Sequence, residues 1–179
     1  MNNSFLKIAG PTITLRPLVP DDATEEYCGW LNDPEVNQYL EVRFSHHTLE
    51  SVRHDIENIT RDADVLFLGI IRNDTGKHIG NIRLRINPHH RSGAIGLMIG
   101  DKASWGRGYA TEAITLLSGY AFGELHCHKL TAGAYHTNVG SVKAFLKAGF
   151  KEEGRTKEDY LSHGVYVDHV LLGKINESP

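Results

Sequence analysis

The junction between a predicted strand and a predicted helix constrains this chain more than any other segment. Residues 92–100, SGAIGLMIG, predict a strand, and an amphipathic helix is predicted from Tyr109. The connecting letters, WGRGYATEA, place Gly106 and Gly108 where that helix begins. The first N–H groups of a helix have no partner within it, and glycine has no Cβ to keep a ligand away. The amides of residues 107–111 are therefore predicted to converge on an anion such as a pyrophosphate.

Two familiar phosphate-binding loops do not fit this segment. A Walker loop ends in Gly-Lys-Ser/Thr, which is missing here, and a dinucleotide fingerprint needs a third glycine within a βαβ unit. An ordinary glycine-rich turn that leaves Arg107 exposed would explain the letters equally well. The segment by itself therefore leaves both interpretations open.

The rest of the chain alternates short strands with helices. Helices are predicted from Asp21 to Trp30, from Pro34, from Thr48, and after an Asn138 cap up to Gly149. Strands are predicted at residues 12–18, 64–72, 79–87, 92–100 and 129–136, with two more around the turn SHG at 162–164. The pattern indicates a single α+β domain over residues 1–179, built on a strongly bent mixed sheet with flanking helices.

Charge and composition exclude several classes of protein. The 19 basic and 22 acidic side chains nearly balance, so an extended nucleic-acid surface is not expected. The chain contains no apolar run of signal-peptide or membrane-span length, which predicts a cytoplasmic protein without a membrane partner. Cys28 and Cys127 fit no disulfide or zinc pattern. His126 and His128 would share one face of a strand, but no third ligand follows at a suitable spacing, so no metal is expected.

Two motifs together resemble the GNAT family of N-acetyltransferases. Gly108, Tyr109 and Ala110 match the second half of the family's pyrophosphate loop, and Trp105 stands where glutamine or arginine is usual. The second motif is NVGSVKAFLKAGFKEEG, in which an asparagine and a serine precede a helix and Gly-Phe. The resemblance extends from LRPL near the amino terminus to the closing hairpin. WGRGYATEA is most similar to the branch that acetylates ribosomal-protein N-termini and to amino-sugar-modifying relatives.

The resemblance implies a site for acetyl-CoA. Its pantetheine arm would lie between two splayed strands, residues 92–100 and 129–135. The resemblance implies that main-chain groups of the first strand bind the pantetheine and the thioester carbonyl, that amides at the helix start hold the pyrophosphate, and that two polar side chains lie near the cofactor. The residues implied are, in that order, Leu97, Met98 and Ile99, then Arg107, Gly108, Tyr109, Ala110 and Thr111, then Asn138 and Ser141.

Acetyl transfer to an amine needs a proton acceptor and a proton donor but no covalent enzyme intermediate. Candidate bases are Glu35, Glu41, Glu112, His136 and Asp159, of which Glu41 and His136 are favoured. Many relatives protonate the leaving thiolate with a tyrosine on the last helix, but the corresponding place holds Phe145. Ser141 or a water molecule is expected to act instead. Cys127 is a weaker alternative, as an acyl-carrying nucleophile.

The sequence leaves the acceptor and the assembly open. The expected activity is direct acetyl transfer to a small or N-terminal amine, and DPEVNQYLEVRF resembles enzymes that act on nucleotide-linked amino sugars more than those that act on proteins. Two alternatives are a binding or sensing module that holds acyl-CoA without catalysis and a phosphate-ligand enzyme unrelated to acyl transfer. Residues 160–175 correspond to a strand pair that often lies near a dimer contact in relatives, so the resemblance admits a homodimer without deciding the assembly.

Overall fold

The computed structural model describes residues 6–177 and contains one mixed sheet with the strand order β1-β2-β3-β4-β5-β6-β8-β7. The strands are β1 (Ile8–Ala9), β2 (Ile13–Pro17), β3 (Val65–Arg72), β4 (His78–Asn87), β5 (Ser92–Ile99), β6 (Lys129–Tyr135), β7 (Lys151–Ser162) and β8 (Val165–Ile175). The helices are α1 (Glu25–Asn32), α2 (Pro34–Asn37), α3 (Leu49–Arg61), α4 (Tyr109–Gly123) and α5 (Val139–Lys147). The α+β class is confirmed. The two ends of the predicted 1–179 domain, residues 1–5 and 178–179, lie outside the described residues.

Strands β5 and β6 are parallel neighbours that pair over only three residues. The pairs join residues 92–94 to residues 129–131. From Ile95 onward β5 pairs with β4 alone, while β6 continues beside β8 as far as Tyr135. The predicted splaying of these strands is confirmed, and it leaves a gap in the sheet with main-chain groups on each side.

The larger core lies between the sheet and helices α4 and α5. The predicted apolar stripe of α4 faces the sheet, with Ala113, Ile114, Leu117 and Ala121 fully buried. Phe145 of α5 is also buried in this core. Burying one such aliphatic or aromatic side chain stabilises the fold by roughly 1.5–3 kcal/mol. The start of each helix is thereby fixed beside the open ends of β5 and β6.

A smaller core on the opposite face holds helices α1 and α3 against the sheet. Val52 and Ile56 of α3 are buried with Trp30 of α1, and Met98 packs against them from β5. A Cβ added at Gly100 would lie 2.1 Å from an atom of the Trp30 ring, so glycine is required for this close approach. These contacts position α1 beside the end of β5. No helix within residues 6–177 is long and apolar enough to span a membrane.

The prediction that Asp21 and Asp22 begin the first helix is wrong. Helix α1 begins at Glu25 and is capped by Thr24, while residues 20–22 form a short 3₁₀ turn. The carboxylate of Asp22 instead accepts two hydrogen bonds from the Arg16 guanidinium, at 2.6 and 2.7 Å. A charged pair between strand and turn has replaced the expected cap.

Candidate active site

The loop before α4 has the backbone geometry of an anion site. Gly106 and Gly108 have φ values of 71° and 86°, and an added Cβ at either would meet no protein atom within 4 Å. The first hydrogen bond of the helix runs from the Glu112 N–H to the Gly108 carbonyl. The N–H groups of residues 109–111 therefore precede the helical hydrogen-bond ladder, and the helix dipole favours negative charge there. This arrangement fits a diphosphate.

Trp105 fastens this loop to the end of β5. Its indole Nε1 donates to the Ile99 carbonyl at 2.7 Å, and its side chain is 39% exposed beside the loop. The side chain of Arg107 turns back, and its Nε donates to the Ala103 carbonyl at 2.9 Å. The anion site thus consists of main-chain groups held in place by two side-chain hydrogen bonds.

Nine of the ten residues implied for cofactor binding line one cavity of about 410 Å³. The exception is Arg107, which is not among the lining residues. Asn138 caps α5, its Oδ1 accepting from the Ser141 N–H at 3.1 Å, so its Nδ2 is left to face a ligand. The nine lining residues are Leu97, Met98, Ile99, Gly108, Tyr109, Ala110, Thr111, Asn138 and Ser141.

The main-chain groups at the end of β5 alternate between β4 and the gap. The Gly100 N–H donates to the Ile79 carbonyl of β4. The Ile99 carbonyl points to the other side of β5, where it accepts from the indole of Trp105. Because antiparallel strands alternate in this way, Leu97 also faces the gap and the main chain of Met98 faces β4. The alternation therefore leaves the side chain of Met98, not its backbone, as the part that can meet a ligand.

A second cavity of about 390 Å³ adjoins the first. It is lined by parts of α1, α3, β4 and β6 and by the residues around Glu41. Both cavities share a wall, and a molecule in one could meet a molecule in the other there. The residues common to both are Tyr39, Leu40, Leu97, Met98, Asn138 and Ser141.

Glu41 lines the second cavity and is held by a tyrosine. Its Oε1 accepts from the Tyr135 hydroxyl at 2.7 Å, and Arg43 donates to the same hydroxyl oxygen at 2.9 Å. Burial, and then the hydrogen bond to Glu41, raise the pKa of Tyr135 above its ordinary value. Tyr135 therefore stays neutral and keeps a proton to donate.

The structure does not bring the other favoured base, His136, to either cavity. His136 follows the last residue of β6, is exposed, and bonds through its N–H to the Asp168 carbonyl. Side chains alternate along a strand, and Tyr135 already faces the cavity, so His136 points elsewhere. Among residues 6–177, no three His, Cys, Asp or Glu side chains gather as metal ligands.

The remaining candidate bases have structural partners. Glu35 binds Lys102, Glu112 accepts from the N–H groups of Thr12 and Ile13, and Asp159 binds Thr156. Only Glu35 among these three carboxylates lines a cavity, on the cofactor side.

Two further expectations concern Cys127 and Phe145. Cys127 is 1% exposed, and burial raises the pKa of its thiol, which argues against a nucleophile. Phe145 lines the second cavity but has no proton to donate. Phe145 therefore does not protonate the leaving thiolate.

Several residues of the second cavity were missed from the sequence. Tyr135 and Tyr160 stack with ring centroids 4.2 Å apart, and Tyr39 stands beside Tyr135 at 5.7 Å. Arg43 connects three segments, since it also donates to the Leu161 carbonyl of β7. No local pattern marks these residues, because the partners of Tyr39 and Arg43 are about a hundred residues away and Tyr160 contacts Tyr135 from another strand. The only signal was the position of each residue close to, or next to, one of the candidate bases Glu41, His136 and Asp159.

Comparisons with known proteins agree with this geometry. Residues 12–151 match the family model described as an acetyltransferase (GNAT) domain. The chain is 34% identical to a probable N-acetyltransferase, YjcK, of Bacillus subtilis (strain 168), over 94% of this chain and 97% of that protein.

Solved structures share the fold. Spermidine N-acetyltransferase from Vibrio cholerae, in complex with CoA and spermine, superposes with a TM-score of 0.80 at 23% identity, over 91% of this chain and 95% of that one. Ribosomal-protein-S5-alanine acetyltransferase from Vibrio fischeri gives a TM-score of 0.80 at 19% identity, over 97% and 100% of the two chains. With the family match over most of its length, the chain belongs to the GNAT family and is an acetyl-CoA-dependent N-acetyltransferase.

Proposed function

We propose that this enzyme transfers the acetyl group by direct attack of an amine within a ternary complex. The observation that carries the proposal is the shared wall of the two cavities at Leu97, Met98 and Ser141. Acetyl-CoA in the first cavity would place its thioester at this wall, facing an amine in the second. When bound, it supplies an already activated acyl group, so the protein needs no nucleophile of its own.

The chain's own groups divide the work of binding. Amides at the start of α4 hold the diphosphate, and the gap-facing main chain of Leu97 and Ile99 binds the pantetheine arm. The Leu97 N–H donates to the thioester oxygen, where negative charge develops during attack. Asn138 Nδ2 contacts the cofactor from the opposite side of the gap.

Glu41 takes up the amine proton, and Ser141 or a water molecule gives a proton to the leaving thiolate. Tyr135 occupies one carboxylate oxygen of Glu41, which leaves Oε2 to face the amine. An α-amino group of pKa about 8 is neutral in about one molecule in ten at pH 7, so a carboxylate or a water relay suffices as base.

The proposed acceptor is a primary amine, carried by a nucleotide-linked amino sugar or by a protein N-terminus. The stacked tyrosines Tyr135 and Tyr160 support either, because an aromatic face packs against a sugar ring or a peptide side chain. The fold neighbour that acts on a ribosomal protein supports the second.

The decisive experiment follows thiol release from acetyl-CoA with amino sugars, nucleotide-linked amino sugars, short peptides and polyamines as acceptors. Turnover with at least one amine is expected, and Glu41→Gln should lower kcat/KM for that amine while leaving the Kd of CoA unchanged. Glu50→Gln is the matched control, because this exposed carboxylate of α3 lines neither cavity. Binding of CoA without turnover of any amine would overturn the proposal in favour of a binding module.

A further inference from the structure

Asn81 of β4 is a buried side chain with half of its amide unpaired. It is 5% exposed and lines the second cavity. Its Oδ1 lies 2.8 Å from His78 Nε2, but its Nδ2 has no hydrogen-bond partner in the described part of the chain. A buried donor without a partner is destabilising, so such groups usually have a ligand or water as partner.

The orientation of this amide follows from its neighbours. His78 Nε2 also lies 2.9 Å from the Gly80 carbonyl, which can only accept, so Nε2 carries the ring hydrogen. The Asn81 atom that faces it must then be the oxygen. Burial lowers the pKa of His78, which keeps the ring neutral. Nδ2 is therefore the atom left for an oxygen atom from the cavity.

Arg83 adds a second donor two residues further along β4. Side chains at i and i+2 share one face of a strand, and both residues line the second cavity. Arg83 is exposed, and its guanidinium forms no hydrogen bond or ion pair with any residue in the range 6–177. Asn81 and Arg83 of β4 therefore present hydrogen-bond donors to the cavity, and the only acceptor between them, Asn81 Oδ1, is already bound to His78.

Asn81 lies beside the wall that the two cavities share. Its partner across the sheet is Met98, whose side chain belongs to the wall between the two cavities. Met98 is half-buried and unbranched, so it can turn aside to let a ligand reach Nδ2. An oxygen bound to Asn81 would then lie on the acceptor side of this wall, on the same side as the amine under attack.

Resting on the function proposed above, we infer that the acceptor carries an oxygen on the carbon next to its amine-bearing carbon, and that Asn81 Nδ2 and Arg83 receive this oxygen. The class comprises 2-amino alcohols, which include amino sugars, and α-amino carbonyl compounds, which include peptide N-termini. Polyamines do not belong to it, because their ammonium groups only donate. A site that hydrogen-bonds a substrate group rejects analogues without that group, since the buried donor then stays unpaired.

The test compares kcat/KM, corrected for the neutral fraction of each amine, for four acceptors. Glucosamine carries the neighbouring hydroxyl and alaninamide the neighbouring carbonyl, while isopropylamine and spermidine carry no oxygen. At least about a 100-fold preference for one or both oxygen-bearing amines is expected. Equal values for all four would overturn this inference and leave the acetyltransferase proposal intact, whereas turnover of none would overturn both.

Asn81→Asp is the sharpest variant, because it keeps the oxygen that faces His78 and replaces the free donor by an acceptor. The preference for oxygen-bearing amines, measured as the ratio of kcat/KM values, should fall at least tenfold. The Kd of CoA should stay unchanged, because Asn81 does not line the cofactor cavity. Asn87→Asp, on the same strand but outside both cavities, is the matched control. If the buried change prevents folding, Arg83→Gln at an exposed position decides: a several-fold loss confined to oxygen-bearing amines is expected, and an equal loss for all four would overturn the inference.

Discussion

The hydroxyl of Tyr135 donates its proton to Glu41, whose Oε1 lies 2.7 Å away. The direction of this bond is fixed, because Arg43 also approaches the hydroxyl oxygen, at 2.9 Å, and a guanidinium can only donate. Arg43 itself is held by the carbonyl of Leu161 on β7. The candidate base is therefore oriented by residues from β6 and β7 that lie far from it in sequence.

Replacing Tyr135 by phenylalanine tests this arrangement. Phenylalanine preserves the ring stack with Tyr160 but removes the donor to Glu41, and hydrogen bonds to charged groups contribute about 1.5–3 kcal/mol. We expect kcat/KM for the amine to fall about tenfold or more, and the KM of acetyl-CoA to stay unchanged.

Tyr166→Phe is the control for this change, since that ring is 63% exposed on β8 and lines neither cavity. A Tyr135→Phe enzyme with wild-type kcat/KM for the amine would show that Tyr135 has no influence on the base.

Asn138 and Thr48 cap different helices in the same way, so variants of the two residues can distinguish an effect on stability from an effect on CoA binding. Asn138 and Thr48 each accept from a backbone N–H at 3.1 Å, at the starts of α5 and α3. Alanine at either position should lower the free energy of unfolding by about 1 kcal/mol. Only Asn138→Ala should also weaken CoA binding, measured by calorimetry, because only Asn138 lines the cofactor cavity. Equal CoA affinity in both variants would restrict Asn138 to capping.

Local patterns in the sequence predicted the cofactor side of the site but not the acceptor side. Asn138 caps its helix by a hydrogen bond with Ser141, three residues away, and the candidate anion site lies within the loop around Gly108. Both features therefore depend on residues that are close together in sequence. The bond from Tyr135 to Glu41 spans 94 positions, and no periodicity encodes such a pair. The sequence favoured His136, but alternation along β6 directs its neighbour Tyr135 to the cavity.

The pair of Asp22 and Arg16 predicts how stability depends on pH. Burial alone would raise the pKa of Asp22, but hydrogen bonds from Arg16 and from the Val19 N–H outweigh it and lower that pKa. A lowered pKa contributes stability above the unfolded value of about 3.9, and this stability is lost as the pH falls through the folded value.

Asp22→Asn should therefore destabilise the protein by about 1 kcal/mol at pH 7, and the difference from the wild type should shrink as the pH falls below about 4 and vanish only below the lowered pKa of folded Asp22. Urea unfolding at several pH values measures it. Asp21→Asn is the control, because the carboxylate of Asp21 is 89% exposed and makes only a 3.4 Å contact with Arg53. A constant difference across the pH range would contradict the assigned ion pair.

Ser141 is expected to assist the leaving thiolate without being essential. Ser141→Ala should lower kcat several-fold, because water can also deliver the proton, while the KM values change little. Ser118→Ala is a fitting control: this hydroxyl is buried in α4 and has no partner among the described residues, so its loss should be neutral or slightly stabilising. A Ser141→Ala enzyme with wild-type kcat would remove Ser141 from the mechanism.

The anion site at the start of α4 is tested by a bulky residue at Gly108. Valine there needs a positive φ, which is costly for a β-branched residue, and its side chain would enter open space at a position that lines the cofactor cavity. Gly76 offers a matched control, with φ of 69° and no atom within 4 Å, in the turn between β3 and β4. Both valine variants should lose comparable stability, but only Gly108→Val should raise the Kd of CoA, by about tenfold or more. If CoA bound equally well to both, the proposal that the loop at Gly108 holds the diphosphate would be contradicted, because a change of backbone and side chain there should disturb any ligand bound to the amides of residues 109–111.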